Sequence, residues 1–176
     1  MVILHSLVDV RTIFCYNSEM ESGPKNIEVI NTKEKLMELE ASGEYLFHGS
    51  PNRIFSFEPR QAFTDQDGNR VPDGEPAVFT SSEIETPIFR SIFHESQFDG
   101  KEGTFSMGFT NGIKPLVHAS EATIALAKNN KGYVYVFHKK DFEPHRDTEW
   151  ISKKTVTPYA VFHSSFKDID LQIDVK

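Results

Sequence analysis

Hydrophobic residues are spaced as in helices in three segments, and the first of these is NTKEKLMELEASG. Leu36 and Leu39 fall on one helical face. Asn31 stands in the N-cap position, and Glu34 follows three residues later, as in a capping box. Gly43 is typical of a residue that ends a helix.

In the second and third helical segments, the candidate N-cap is a serine. In SSEIETPIFRSIFHE the candidate N-cap is Ser81 or Ser82, and Pro87 is compatible with a helix only near its first turn. Isoleucines recur in it every four residues: Ile84, Ile88 and Ile92. The third segment is EATIALAKNN, for which Ser120 is the candidate cap.

Strand patterns dominate the second half of the chain. Phe105, Met107 and Phe109 alternate with small or polar residues, as in a half-buried strand. Other strand candidates are NIEVIN, YLFHG, PAVFTS, the run around Leu116 and Val117, GYVYVFHKKDF and VTPYAVFHSSF. Residues 62–76, AFTDQDGNRVPDGEP, have the composition of a mobile surface loop.

The order of these elements predicts an α+β fold with mainly antiparallel sheets, because helices come early and strands dominate later. The 176 residues suit one domain. Residues 1–16 are expected to form a strand or an arm, and the polar residues 17–26 read as a linker. We therefore expect an N-terminal arm and linker over 1–26 and one domain over 27–176.

Composition narrows the classes of partner. A net charge of −7 disfavours a broad electrostatic contact with nucleic acid. Cys15 is the only cysteine, which fits a reducing compartment. The first apolar stretch meets Asp9 and Arg11 too early for a signal peptide, and no apolar run approaches a membrane span. We expect a cytoplasmic protein without membrane contact.

Metal sites are not expected from the spacing of candidate ligands. Asp65 and Asp67 suggest a calcium loop, but Arg70 stands where that loop needs glycine, and Pro76 where it needs glutamate. The seven histidines form neither an i, i+4 pair nor a tight cluster.

Three pieces of sequence stand out together: YLFHGS with His48, VFTSS over residues 78–82, and TEWIS with Glu149, which VTPYAVF follows. Each alone has an ordinary structural interpretation: a satisfied histidine at a strand end, a helix cap, and a solvated glutamate. In this order they resemble the ADP-ribosyltransferase superfamily, in particular its histidine-type members, the diphtheria-toxin-like and poly(ADP-ribose) polymerase-like enzymes. The resemblance covers about residues 45–165.

The resemblance implies a cleft for NAD between split antiparallel β-sheets with flanking short helices. It implies that His48 bonds a ribose hydroxyl of the adenosine half and that backbone groups of Gly49 bond the nicotinamide amide, with Ser50 nearby. An aromatic shelf for nicotinamide would come from Phe79, Phe89 or Phe93. For Phe89 and Phe93, core packing is the competing interpretation. Two hydroxyl residues, Thr80 and Ser81, would complete the NAD-binding set.

The resemblance also implies the reaction. The nicotinamide–ribose bond breaks through an oxocarbenium-like transition state, which a carboxylate stabilises, as in glycoside hydrolysis. Glu149 would hold the ribose 2′-hydroxyl in this role, so Glu149 and His48 are the candidate catalytic residues. The expected function is NAD-dependent transfer of ADP-ribose to an unidentified acceptor, a protein rather than a nucleic acid, without a metal.

The chain departs from the family in two places. Histidine-type members commonly carry tyrosines where this chain has Phe79 or Thr80 and Phe89, and Asp147 stands where arginine-modifying members have a longer acid. Two alternatives therefore remain open: a nucleotide-binding module with degraded catalysis on the same fold, and an unrelated α+β interaction protein. Phosphate contacts would come from the arginines Arg53, Arg60 and Arg90.

Overall fold

A computed structural model describes residues 27–66, 69–94, 105–110 and 114–175. The strand or arm expected over residues 1–16 and the linker expected over 17–26 lie outside the described residues.

The described residues form three α-helices and twelve strands. The helices are α1 (Lys33–Ser42), α2 (Glu85–Ile92) and α3 (Glu121–Ala127). The first six strands are β1 (Glu28–Ile30), β2 (Tyr45–Ser50), β3 (Phe63–Gln66), β4 (Asn69–Pro72), β5 (Val78–Ser81) and β6 (Phe105–Thr110). The last six are β7 (Lys114–Ala119), β8 (Lys131–His138), β9 (Glu143–Arg146), β10 (Glu149–Ser152), β11 (Ala160–Ser165) and β12 (Gln172–Val175). The strands β9, β10 and β12 were not predicted from the sequence.

The strands form three sheets. Seven strands pair in the order β1-β11-β8-β2-β5-β10-β9, and every pair is antiparallel except β1 with β11. A second sheet has the order β12-β7-β6, and β3 pairs with β4 as a separate hairpin. The α+β class and the mainly antiparallel pairing are therefore confirmed.

The expected surface loop over residues 62–76 is wrong, because most of this segment is the hairpin of β3 and β4. Asp65 pairs with Arg70, and Gln66 pairs with Asn69. The two residues between the strands are Asp-Gly, a common sequence for a two-residue hairpin turn. The polar composition suggested a loop and hid this signal.

Two of the predicted helix caps are also wrong. In α1 the N-cap is Thr32 instead of Asn31, and its side chain accepts a hydrogen bond from Lys35 N. In α2 neither serine is the cap: the N-cap residue is Ile84, and its backbone N–H donates to Glu40 Oε1 of α1 over 2.8 Å. The cap of α3 is confirmed, since the side chain of Ser120 accepts from Thr123 N.

Helix α2 joins the core of the large sheet to that of the three-stranded sheet. Ile84, its N-cap residue, and Ile88 are buried with Phe47 against the seven-stranded sheet. Its Phe89 and Phe93 are buried in a second cluster, which also contains residues of β7 and α3. A third cluster includes Phe57, Val78, Tyr135, Phe137, Val156 and Val161. Helix α2 contacts both β2 and β5, which carry residues of the candidate site.

Candidate functional site

The three pieces of sequence become three neighbouring strands, β2, β5 and β10. Phe47 on β2 pairs with Ser81 on β5, and Ser81 pairs with Glu149 on β10. The pairing of β2 with β5 is limited to this one position. Beyond it, His48 Nδ1 lies 2.7 Å from Phe79 O, so a side chain provides the next link between the strands.

A cavity of about 380 Å³ lies where β2 and β5 separate. Six of the eight residues predicted for the site line it: His48, Gly49, Phe79, Thr80, Ser81 and Glu149. A neighbouring cavity of about 700 Å³ is lined by the other two, Ser50 and Phe89. The two cavities share His48, Gly49, Phe79 and Arg90 among their lining residues. They therefore adjoin around the end of β2.

The side chains of His48 and Glu149 project from opposite faces of the sheet. Paired residues project from the same face, so Glu149 shares a face with Ser81 and Phe47. His48 follows Phe47 and projects from the other face, while Gly49 returns to the face of Glu149. A ligand that contacts all three residues must therefore reach both faces of the sheet beside the place where β2 and β5 separate.

His48 is held as a neutral ring by its surroundings. Burial lowers the pKa of His48, the nearby Arg90 lowers it further, and the hydrogen bond with Phe79 O opposes these effects. The ring also lies edge-on to Phe57, with centroids 4.9 Å apart. A carbonyl oxygen only accepts, so Nδ1 carries the proton and Nε2 is left as an acceptor.

The Glu149 side chain is partly exposed, and one of its two carboxylate oxygens is paired. Arg146 Nε donates to Glu149 Oε2 over 2.9 Å, and His145 Nε2 lies 3.9 Å from the same oxygen. The other oxygen, Oε1, has no hydrogen bond to any residue in the described part of the chain. Arg146 also contacts Asp73. Asp73 and Arg146 line the cavity but were not identified from the sequence, because no local pattern links them.

Arg90 is the cation placed best for an anionic ligand. It lies on α2 and lines both cavities, and within the described ranges it has no ion pair or hydrogen bond. Arg60 lines only the larger cavity. Arg53 lies over the ring of Phe55 at 5.0 Å.

The hydroxyls predicted for the site make local hydrogen bonds. Ser50 Oγ accepts from Asn52 N over 3.1 Å, and Ser81 Oγ accepts from Glu83 N over 3.0 Å. Thr80 is buried, and its Oγ1 donates to Trp150 O over 3.1 Å. These contacts support the turn after β2, the turn after β5, and the pairing of β5 with β10. Thr86, at the start of α2, is a cavity-lining hydroxyl residue that sequence reasoning missed.

The three phenylalanines of the predicted shelf differ in exposure, and Phe93 is buried. Phe79 is partly exposed and lines both cavities. Phe89 is buried and stacks on Phe93, with centroids 5.0 Å apart. Core packing therefore accounts for most of the Phe89 ring, and Phe79 has the more available surface.

Tyr135 holds the loop that borders the larger cavity. Its hydroxyl accepts from Ile54 N over 2.6 Å and donates to Asn52 O over 3.0 Å. Burial raises the pKa of Tyr135, so the hydroxyl stays protonated. Two backbone groups of the loop are thereby satisfied by one side chain.

Comparisons with known proteins give no family for the chain: no family model matches it, and no significant match to a curated protein or a solved structure was found. Among the described residues, no group of three or more histidine, cysteine, aspartate or glutamate side chains is arranged to hold a metal ion. None of the helices in the described ranges has the length and apolar character needed to cross a membrane.

Proposed function

We propose that the protein is an NAD-dependent ADP-ribosyltransferase. The observation that carries this proposal is the arrangement of the three pieces of sequence. They form neighbouring strands, and His48, Gly49 and Glu149 from the outer two line one cavity. His48 and Glu149 are 101 positions apart in sequence, and both line this cavity.

The opposite projections of His48 and Glu149 suit a long ligand. NAD has an adenosine half and a nicotinamide half joined by two phosphates. A hydroxyl of the adenosine ribose would donate a hydrogen bond to His48 Nε2, and the nicotinamide half would lie near Gly49 and Glu149. Arg90, between the two cavities, would contact the phosphates.

The free oxygen of Glu149 supports the chemistry. The bond between the nicotinamide nitrogen and the ribose anomeric carbon breaks, and its electron pair leaves with nicotinamide. Positive charge develops on the ribose, and Glu149 Oε1 would accept from the 2′-hydroxyl and stabilise that charge. A nucleophilic atom of the acceptor then bonds the anomeric carbon and loses its proton to solvent.

A nucleotide-binding module without turnover is the second candidate function. Two observations favour it: the burial of Phe89 against Phe93, and the local hydrogen bonds of Ser50, Thr80 and Ser81. Under this alternative, NAD stabilises the protein against heat, but nicotinamide is not released.

The experiment that separates these functions measures nicotinamide release from NAD by the wild type and by Glu149→Gln, with NAD-dependent thermal shifts in the same samples. We expect the substitution to lower the rate on the order of 10²- to 10³-fold, with an unchanged melting temperature. Glu75→Gln is the matched control, because Glu75 is an exposed glutamate paired with Lys153. A thermal shift without release supports the binding module. If NAD causes no thermal shift and no nicotinamide is released, both candidates are refuted.

A further inference from the structure

One guanidinium joins Glu149 to a second carboxylate at the rim of the cavity. Arg146 Nε donates to Glu149 Oε2 over 2.9 Å, and Arg146 Nη2 donates to Asp73 Oδ2 over 3.1 Å. Asp73 follows β4, while Arg146 ends β9 and Glu149 begins β10. Because a guanidinium is planar and its N–H directions are fixed, a contact on each side limits its rotation.

The turn between β9 and β10 is shaped to bring these groups together. Arg146 and Glu149 are cross-strand partners, separated in sequence by Asp147 and Thr148. Asp147 has φ = 43°, in the left-handed region, which aspartate tolerates better than most residues. The pairing shifts register directly after Glu149, because the next pair is Trp150 with Pro144, so the ladder is irregular beside this residue.

The contacts of Arg146 contribute little to stability. The side chains of Arg146, Glu149 and Asp73 are 58%, 34% and 36% exposed, and exposed ion pairs contribute little to folding. What they determine is the direction of the Glu149 carboxylate. With Oε2 bonded to Arg146, the carboxylate can rotate only by breaking a charge-assisted hydrogen bond.

We propose that Arg146 is a positioning residue, which holds Glu149 Oε2 so that Oε1 stays available to the ribose 2′-hydroxyl. This role rests on the function proposed above. Asp73 has the supporting role, because it fixes the guanidinium from the opposite side. Through Arg146, the end of the β3–β4 hairpin at Asp73 is linked to the Glu149 carboxylate.

The first test compares kinetic constants for nicotinamide release. Misplacement by 1 Å costs on the order of 100-fold in rate, and Glu149 itself remains in Arg146→Ala, so we expect roughly a 10-fold loss of kcat. The KM for NAD should change far less, because the phosphate and adenosine contacts lie elsewhere. Arg146→Lys should restore part of kcat, since an ammonium reaches one carboxylate but cannot bridge both. Asp73→Asn should lower kcat by a smaller factor.

Lys153→Ala is the matched control for the loss of an exposed ion pair. Lys153 Nζ bonds Glu75 at 2.6 Å, and neither residue lines the smaller cavity. This variant should keep the wild-type kcat. If Arg146→Ala also keeps it, or if Arg146→Lys is no better than alanine, the positioning role is overturned.

The second test is made on the free protein by NMR. The Arg146 Nε proton should exchange slowly with solvent in the wild type and rapidly in Glu149→Gln. A rapidly exchanging proton in the wild type would overturn the positioning role alone. Absence of nicotinamide release from the wild type would overturn the proposed function and this role together, so the two failures are distinguishable.

Discussion

Gly49 on β2 lies directly against the carbonyl oxygen of Pro87 in the first turn of α2. A Cβ atom built on Gly49 would stand 1.8 Å from Pro87 O, far inside van der Waals contact. Gly132 on β8 makes a similar approach to Ser91 of the same helix, at 2.3 Å from its carbonyl oxygen. Because these two glycines have no side chain, α2 can pack directly against the sheet.

Gly49→Ala should therefore destabilise the fold. Because the obstacle is backbone, the helix must move away from β2, and overpacking of this kind costs roughly 1–3 kcal/mol or more. Urea unfolding measures the change in the free energy of unfolding. The same displacement widens the cavity beside Pro87, so nicotinamide release should fall as well.

Gly43→Ala is the control, because it should destabilise the protein through backbone strain and not through a steric clash. Gly43 has φ = 69° at the end of α1, and its Cβ would meet nothing within 4 Å, so only backbone strain of about 1–2 kcal/mol applies. This variant should lower stability without a change in the release rate of the folded protein. Equal activity in the two variants would argue against the steric explanation.

Helix α2 is also fixed from α1, through the cap that Glu40 supplies to Ile84 N. Glu40→Ala should lower the free energy of unfolding by about 0.5–2 kcal/mol, the usual cost of losing a side-chain cap. Chemical unfolding of the variant tests this expectation.

Glu38→Ala is the matched control on the same helix. Glu38 pairs with Lys35 at the exposed surface, a contact expected to contribute about 0–1 kcal/mol. If Glu40→Ala costs no more than Glu38→Ala, the carboxylate does not act as the cap of α2.

The sequence was informative where the controlling interactions are local. Ser120 caps the helix that follows it, and the period of Phe105, Met107 and Phe109 corresponds to strand β6. The strand YLFHG was also predicted with nearly its observed bounds, because its apolar run ends at glycine, serine and proline.

Long-range contacts account for what the sequence did not reveal. The cap of α2 comes from Glu40, 44 residues away, and the contact of Arg146 with Asp73 spans 73 residues. No spacing rule connects such residues before the strands are placed. The close packing of Gly49 against α2 could not be predicted from the sequence either, because Pro87 comes close to it only in the fold.

The lowered pKa of His48 predicts a pH dependence of stability. As the pH falls through about 6.5, the ordinary range for histidine, His48 in the unfolded chain binds a proton while the folded ring stays neutral. The unfolded state then holds more protons, so the free energy of unfolding decreases as pH falls, until the pH reaches the lowered pKa of the folded protein. The contribution of one such group approaches 1.4 kcal/mol per pH unit.

His48→Gln should flatten this dependence, because glutamine does not titrate. Urea unfolding of both proteins at several pH values between about 7 and 5 measures the two slopes. The variant is expected to be less stable at pH 7, since the bond to Phe79 O and the contact with Phe57 are altered, so the slope is the informative quantity. Parallel curves would show that His48 titrates alike in both states.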